Sequence, residues 1–347
     1  MTQTVFGSLA RIADLEEKPY EVAAIDPSAW QTGDYVAAEV TGTPTRHYNI
    51  EDRGGDMIPV QPGCRVIGAL GVRAATLEGV GSWRDVRDGH LHALTSAGLF
   101  GVFTSYSRLL DDPVSLVYTG HVCRAGQPLR MSDFALRHDG GTFRVPTIML
   151  VGTSMSAGKT TTGRLVIRLL SLAGYRVIGC KLTGAGRLRD IRAFRQAGAF
   201  EVYDFVDVGL PSTVVPEACF RAAIQPLLNH IDSRGPDFLV AEAGASPLEP
   251  YNGAAAIDLI GDNNRFTILC ASDPYAVVGV QQAYRFRPDL VAGPAANTSA
   301  AIDLVDKLTG VPALNVLDPD AAETLRSILV ARLGADLTPV DVAEWMP

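Results

Sequence analysis

The stretch TIMLVGTSMSAGKTTTGRLVIRLLSLAGYRVIGCK, residues 147 to 181, decides how this sequence folds. It opens with the apolar run TIMLV, passes through a glycine-bounded loop of small hydroxyl residues, and continues into a helix-like run and the apolar run YRVIGC. Continuous apolar runs are typical of strands buried on both faces of a parallel sheet, and the segment between them has helical spacing. The stretch therefore predicts a strand, a loop, a helix and a second strand that ends at Lys181.

The loop itself has the composition of a phosphate-binding site. Its spacing is G-x5-GK-T, with Thr153 at the position where the usual G-x4-GK-[ST] pattern has glycine. Backbone amides of residues 154 to 159 can surround phosphate oxygens at the positive end of a helix, with Lys159 on the β- and γ-phosphates and Thr160 on Mg²⁺. We expect Lys159 to lie at the loop surface. The predicted phosphate-binding residues are Gly152, Thr153, Ser154, Met155, Ser156, Ala157, Gly158, Lys159, Thr160 and Thr161.

Lysine is scarce in this chain, which makes each lysine informative. Of 30 basic residues only Lys18, Lys159, Lys181 and Lys307 are lysines, and the rest are arginines. The compact ammonium of lysine suits contact with a phosphate or an anionic substrate. Lys159 and Lys181 are therefore predicted to be catalytic.

Composition narrows the class of protein. The 347 residues carry a net charge of −8 and are 47% hydrophobic, which predicts two domains with sizeable cores. A net negative chain lacks the basic face that nucleic-acid binding needs, so no nucleic-acid partner is expected. The five scattered cysteines indicate buried thiols in a reduced compartment, and no segment resembles a signal peptide or membrane span. We expect a cytoplasmic protein without a membrane partner.

The pattern of apolar and polar residues along the chain changes near residue 145. Residues 1–145 show short alternating runs and turn dipeptides, which predict a strand-rich domain with helical pieces at RDVRDGHLHALTSAG and YSRLL. Residues 146–347 alternate apolar strands with amphipathic helices, and the last predicted strand is 313 to 317. The expected fold is a doubly wound parallel α/β domain with a phosphate loop, preceded by a smaller strand-rich domain.

The sequence from 152 to 181 resembles the opening of dethiobiotin synthetase, whose loop has the same GTxxxxGKT spacing. The arrangement is also similar to the wider P-loop class of MinD, the cobyrinic acid amidases and the nickel-insertion GTPases, although Thr153 and Ser154 replace the extra lysine of the MinD branch. The order of a GALG-containing N-terminal domain, the loop and a late AN[TP]-type segment resembles a two-domain P-loop family that includes D-amino-acid N-acetyltransferases.

Two acidic residues extend the resemblance to dethiobiotin synthetase. Asp190 follows the second strand, as a metal-binding aspartate does in that family, and Glu242 ends the strand FLVAEAG, as a Mg²⁺-binding glutamate does. Asp190 could equally be a solvated residue of a charged helix. An acid at the tip of an apolar strand also lies where open parallel sheets bind ligands. The predicted metal ligands are thus Thr160, Asp190 and Glu242, and Glu242 is also predicted to be catalytic.

Two further features leave alternatives open. Asn297 follows a late strand, where it could contact the base of a nucleotide or cap the next helix. His90 and His92 in DGHLHAL could suggest a metal site, but at this spacing on a helix they point to different sides, which favours solvated surface histidines.

These observations favour Mg²⁺-dependent use of ATP, or of GTP, to phosphorylate or activate a small anionic, carboxylate-like substrate. Three alternatives remain: an N-acyltransferase that binds acetyl-CoA, a GTPase switch or metallochaperone, and a nucleotide sensor. The resemblance to dethiobiotin synthetase further implies a homodimer or higher homo-oligomer.

Overall fold

The computed structural model describes residues 3–44, 48–138 and 140–337 and divides the chain into two compact units. The last ten residues of the predicted second domain, 338–347, lie outside the described residues. Unit 1 holds most of the chain before residue 138, and unit 2 holds most of the chain after it. Two later segments also belong to unit 1, so a single boundary does not separate the units. Unit 1 comprises Met1–Arg137, Ala185–Arg189 and Phe205–Pro216; unit 2 comprises His138–Gly184, Asp190–Asp204 and Glu217–Pro347.

Unit 1 is built from short strands and 3₁₀ turns. Its strands are β1 (Thr4–Phe6), β2 (Glu21–Ala23), β3 (Tyr35–Thr41), β4 (Asn49–Glu51), β5 (Met57–Pro59), β6 (Arg65–Leu70), β7 (Val72–Ala75), β8 (Gly79–Ser82), β9 (His90–Thr95), β10 (Leu99–Tyr106), β11 (Ser115–Arg124) and β12 (Gln127–Pro128). Its 3₁₀ helices are Ser8–Ile12, Pro27–Ala29, Trp83–Asp85 and Met131–Phe134.

Five of these strands close into a ring. The strand order runs β6, β3, β11, β9 and β10, and a short parallel pairing of β10 with β6 joins the two ends. Closure removes the open edges that would otherwise invite pairing with another chain. Val36, Ala38, Val66, Leu91 and Phe100 on these strands are buried and belong to one apolar cluster. Unit 1 thus has a barrel-like core.

The helix predicted over residues 84 to 98 is wrong, because His90–Thr95 is strand β9, paired with both β10 and β11. Non-local pairing outweighs the local helical pattern there. On a strand, residues two apart share a side, so the argument that separated His90 from His92 does not apply. His90 is exposed, whereas the half-buried His92 accepts a hydrogen bond at Nδ1 from the Phe103 amide at 3.2 Å.

Unit 2 is an α/β unit around a six-stranded sheet. Its strands are β13 (Thr147–Gly152), β14 (Val177–Thr183), β15 (Glu201–Asp204), β16 (Phe238–Ala243), β17 (Asn264–Cys270) and β18 (Leu290–Ala292). Its helices are α1 (Lys159–Leu172), α2 (Leu188–Gln196, whose first two residues belong to unit 1), α3 (Glu217–Ser233), α4 (Gly253–Ile260), α5 (Pro274–Tyr284), α6 (Ser299–Thr309) and α7 (Ala321–Leu333), with 3₁₀ helices at Gly261–Asn263 and Pro294–Ala296. The strand order is β15, β14, β16, β13, β17, β18, and every pairing is parallel.

The path of the chain fixes where the helices lie. From β13 the chain moves toward the β15 edge, and from β16 it moves toward the β18 edge. Since such crossovers are right-handed, opposite directions put the connecting helices on opposite faces. Helices α1, α2 and α7 accordingly share one apolar cluster with the sheet, and α3 contacts α4. The connections that leave the neighbouring strands β13 and β16 run to opposite faces of the sheet, and this opens a crevice at the carboxyl ends of the two strands.

Two details of unit 2 differ from the sequence prediction. Helix α4 was not predicted, because its apolar, alanine-rich sequence follows a proline-rich loop. The predicted strand at 313 to 317 is reduced to one bridge between Ala313 and Val291.

The packing of α1 on the sheet gives a stability prediction. A Cβ on Gly163 in α1 would lie 2.6 Å from Cδ1 of Leu150 and 2.7 Å from Cε1 of Phe194, both fully buried. We expect Gly163→Ala to lower the free energy of unfolding by about 1–3 kcal/mol, measured by urea denaturation followed by circular dichroism.

Gly279, inside α5, is the matched control, because a Cβ there meets nothing within 4 Å. Gly279→Ala should raise the free energy of unfolding by about 0.4–1 kcal/mol through helix propensity and reduced freedom of the unfolded chain. Equal effects of the two substitutions would contradict the close packing of α1.

Candidate functional site

The phosphate loop, residues 152 to 160, connects the carboxyl end of β13 to the first turn of α1. Gly158 immediately precedes the helix with φ 94° and ψ 10°, a left-handed conformation that glycine adopts without strain. The first amides of a helix have no acceptor within it, so those of Lys159, Thr160 and Thr161 are available to an anion. The loop therefore has the backbone geometry of an anion site.

Lys159 is buried, and the prediction that it lies at the loop surface is wrong. Its side chain folds back so that Nζ donates to the carbonyl oxygens of Ser154 at 2.7 Å and Met155 at 3.3 Å, and the residue is only 2% exposed. Burial lowers the pKa of Lys159 from its ordinary value. These neutral carbonyls are weaker partners for an ammonium than a phosphate would be.

Two glycines make this arrangement possible. A Cβ on Gly152 would lie 2.5 Å from Nζ of Lys159, so glycine leaves the space that the lysine occupies. A Cβ on Gly293, after β18, would lie 2.3 Å from the carbonyl oxygen of Ala157. Gly293 was not singled out in the sequence, although its signal, a glycine ending the run LVAG, was present.

Glu242 is the penultimate residue of β16 and lies next to the first turn of α1. Its Oε2 accepts a hydrogen bond from Oγ1 of Thr160 at 3.0 Å, and the residue is 3% exposed. Burial raises the pKa of Glu242, while Lys181 acts in the opposite direction. The structure thus brings together a hydroxyl and a carboxylate that were both predicted to hold Mg²⁺.

Lys181 and Asp190 form an ion pair beside Glu242. Nζ of Lys181 donates to Oδ2 of Asp190 at 2.5 Å, and the two side chains are 8% and 14% exposed. Lys181 is also the register partner of Glu242 on the neighbouring strand. Burial would lower the pKa of Lys181, but the Asp190 and Glu242 carboxylates outweigh it and hold that pKa above its ordinary value.

The remaining predicted residues lie around this cluster. Thr153 is engaged with β17: its amide donates to the carbonyl of Cys270 at 3.0 Å, and its Oγ1 accepts from the Ser272 amide at 3.1 Å. Ser156 is exposed and Thr161 is half-buried.

Asn297 is exposed and follows the 3₁₀ helix after β18. The alternative that it caps the next helix is wrong, because Oγ1 of Thr298 accepts the bond from the Ala301 amide at 3.2 Å.

The oxygen donors of this cluster fit a magnesium ion whose coordination shell is completed by other ligands. Mg²⁺ prefers oxygen and is commonly held by one or two carboxylates together with phosphates and waters. Thr160 and Glu242 provide such oxygens, whereas Asp190 is bonded to Lys181. Within residues 3–44, 48–138 and 140–337, no group of three or more histidine, cysteine, aspartate or glutamate side chains could hold a metal.

The cysteines differ from expectation in their exposure. All five are free thiols, but Cys219 is exposed and Cys64 is half-buried. Cys270, at the end of β17, contacts Oγ1 of Thr162, and burial raises its pKa to about 11.

Comparison with known proteins gives only distant likenesses. No family model and no curated protein matches the chain. A DUF1611 family protein from Anabaena variabilis is 16% identical over 60% of this chain and 66% of that one, just under two thirds of its length, with a TM-score of 0.37. HypB from Helicobacter pylori, solved with nickel, is 14% identical over 57% and 92%, with a TM-score of 0.36. A ParA family ATPase from Chlorobium tepidum is 15% identical over 55% and 94%, with a TM-score of 0.30.

At these TM-scores the likenesses assign neither a family nor an activity. Unit 2 is a P-loop unit on its own geometry, which combines the parallel sheet, the strand–loop–helix order and the left-handed Gly158. In the part of the chain that the structure describes, no helix is long and apolar enough to cross a membrane.

The buried ion pair gives a prediction that is independent of activity. Lys181→Met removes the cation that pairs with Asp190 and lies in register with the buried Glu242, so we expect it to destabilise unit 2 by about 3–5 kcal/mol. Asp190→Asn should also destabilise, and the double substitution should cost less than the sum of the two. A double-mutant cycle by urea denaturation should give a coupling of about 1–3 kcal/mol. Additive effects would contradict the ion pair.

Proposed function

We propose that this chain uses a Mg²⁺-bound nucleoside triphosphate, preferentially ATP, to phosphorylate or activate a small anionic substrate such as a carboxylate. The observation that supports the proposal is the convergence of Lys159, Thr160, Lys181 and Glu242 at the crevice between β13 and β16. Phosphoryl transfer needs positioning and charge stabilisation more than covalent chemistry, and this set consists of such groups.

Lys159 and the first amides of α1 would bind the phosphates. The ammonium is already desolvated, so its exchange from the Ser154 and Met155 carbonyls to phosphate oxygens avoids a further loss of hydration. Thr160 and Glu242 would hold Mg²⁺, which supplies positive charge beside the phosphates. Asn297, which is exposed after β18, would contact the base.

Lys181 would position the anionic substrate. A protein of net charge −8 repels anions at long range, so an anionic substrate needs a local cation. Lys159 is assigned to the phosphates, and Lys181 lies near the carboxyl end of β14, at the same edge of the sheet. Asp190 fixes its ammonium in place and keeps it charged.

The proposal is tested by which ligand stabilises the protein. With Mg²⁺ present we expect ATP to raise the melting temperature more than GTP or acetyl-CoA. A ligand at 100 times its Kd stabilises the native state by about 2.7 kcal/mol. Lys159→Ala should abolish the ATP shift, whereas Lys307→Ala, which removes an exposed lysine of the same unit, should retain it.

Other outcomes of this experiment would replace the proposal. Stabilisation by acetyl-CoA alone would favour an N-acyltransferase, and a preference for GTP would favour a switch or metallochaperone. ATP binding without ADP release in the presence of any small carboxylate would favour a sensor.

A second prediction separates metal binding from phosphate binding. Glu242→Gln should abolish Mg²⁺-dependent turnover but leave nucleotide affinity within about tenfold, because the phosphate contacts come from Lys159 and the backbone. Glu217→Gln, an exposed acid at the start of α3, is the control and should retain turnover. Equal loss of nucleotide binding and turnover in Glu242→Gln would contradict the assignment.

A third prediction concerns the substrate. Lys181→Ala should raise the KM for the anionic substrate or lower kcat while ATP binding persists. Lys181→Arg should not fully restore either constant, because the planar guanidinium is larger and directs its donors differently. Steady-state kinetics with each substrate varied in turn measures both, and wild-type constants in Lys181→Ala would overturn the role.

A further inference from the structure

Unit 1 contains an aromatic cleft that the proposed phosphoryl-transfer chemistry does not use. The cleft has a volume of about 480 Å³, within the range of small-molecule sites. Its walls include three aromatic side chains, Trp30, Trp83 and Tyr118, and its rim includes Arg84 and Arg87. All of its lining residues belong to unit 1.

The polar atoms of the three aromatic rings are already bonded within unit 1. Nε1 of Trp30 donates to the carbonyl of Ile25 at 3.0 Å, and Nε1 of Trp83 donates to Oγ1 of Thr32 at 2.9 Å. The Tyr118 hydroxyl accepts from the Ile25 amide at 3.2 Å and pairs with Nδ1 of His121 at 2.6 Å. The rings therefore offer the cleft their apolar faces and edges.

A buried hydrogen-bonded chain holds two of these rings, Trp30 and Tyr118, in place through His121. Nε2 of His121 lies 3.2 Å from Oδ2 of Asp34, and the other carboxylate oxygen accepts from Nε of Arg130 at 2.7 Å. His121 is fully buried and Asp34 is 1% exposed. The ring centroids of Trp30 and Tyr118 lie 4.6 Å apart. A wall supported in this way is organised before any ligand arrives, which reduces the entropic cost of binding.

Charge at the rim adds a second requirement on the ligand. The guanidinium of Arg84 lies 4.7 Å from the centroid of the Trp83 ring, and Nη1 of Arg87 donates to the carbonyls of Arg84 and Val86. Asp88 is the acidic residue of the lining, so two cations face one anion in a chain of net charge −8. Asp85 and Asp26 also lie next to lining residues, so an anionic group would be attracted by direct contact with the two guanidinium groups and not by a net positive surface.

We propose that this cleft binds a small molecule with a flat aromatic ring and one anionic group, the ring against Trp30, Trp83 and Tyr118 and the anion at Arg84 and Arg87. Aromatic pairs gain attraction beyond simple area burial, which favours a flat ring over an aliphatic one. The site is separate from the proposed nucleotide site in its residues and in its ligand chemistry.

The probe for the test is 2-naphthoate, added to the full-length protein. Two of the three tryptophans of the chain line the cleft, so binding should change tryptophan fluorescence, and calorimetry should give one site per chain. Neutral 2-naphthylmethanol and aliphatic cyclohexanecarboxylate should each bind more weakly than 2-naphthoate. Excess Mg²⁺-ATP should not displace 2-naphthoate.

Substitutions of cleft residues test whether 2-naphthoate binds in the cleft. Arg84→Gln should weaken 2-naphthoate about threefold and leave 2-naphthylmethanol unchanged, because an exposed cation contributes only modestly. Arg108→Gln is the matched control, since Arg108 also stacks on an aromatic ring of unit 1, Tyr106 at 5.0 Å, but does not line the cleft. Trp83→Ala should weaken 2-naphthoate about 30-fold, the effect of removing a central aromatic contact.

The proposal is overturned by an absence of saturable 2-naphthoate binding, by equal affinity for the neutral alcohol, or by displacement with ATP. It is also overturned if Arg108→Gln weakens binding as much as Arg84→Gln does. If Trp83→Ala fails to fold, Arg84→Gln still tests the proposal, because Arg84 is exposed. Weaker binding of 2-naphthoate with unchanged binding of 2-naphthylmethanol is specific to the proposed contact between the anion and Arg84.

Discussion

The rest of unit 2 depends on one constraint: two buried lysine ammonium groups, the buried Glu242 carboxylate and the half-buried Asp190 carboxylate of α2 meet at one edge of a parallel sheet. Removing such groups from water costs several kcal/mol each, and the cost is recovered only when partners lie at hydrogen-bond distance. Asp190 meets this condition for Lys181, and Thr160 meets it for Glu242. Small displacements of either strand would leave a charge without compensation, so the local backbone has little freedom.

The sheet provides the required precision through its register. Lys181 and Glu242 are direct partners on neighbouring parallel strands, and partners in register project on the same face. Gly244, just beyond Glu242, completes the fit: a Cβ there would lie 2.2 Å from the carbonyl oxygen of Thr183. The next residue, Ala245, adopts a left-handed φ of 63°, which is uncommon for alanine and concentrates strain beside the charged cluster.

Local sequence patterns predicted unit 2 well, and unit 1 poorly, for a physical reason. Strand β13, the phosphate loop and α1 are contiguous, so their spacing in sequence is close to their spacing in space. Strand β9 has a helix-like sequence and becomes a strand only through pairing with β10 and β11. The burial of Lys159 also could not be derived from spacing, because it depends on where the carbonyls of the folded loop point. The cluster of Lys181 and Glu242 was foreseeable because parallel strands end at one edge.

The choice of lysine over arginine follows from the same packing. The chain places arginine at nearly every basic position, yet both buried cations of the site are lysines. Lys18 and Lys307 are exposed, where either residue would serve. At Lys159 the ammonium lies in space that exists only because residue 152 has no Cβ, and a planar guanidinium with five donors would need both more volume and more acceptors. The packing at residue 159 therefore fits lysine and not arginine, whereas the exposed positions 18 and 307 carry no such constraint.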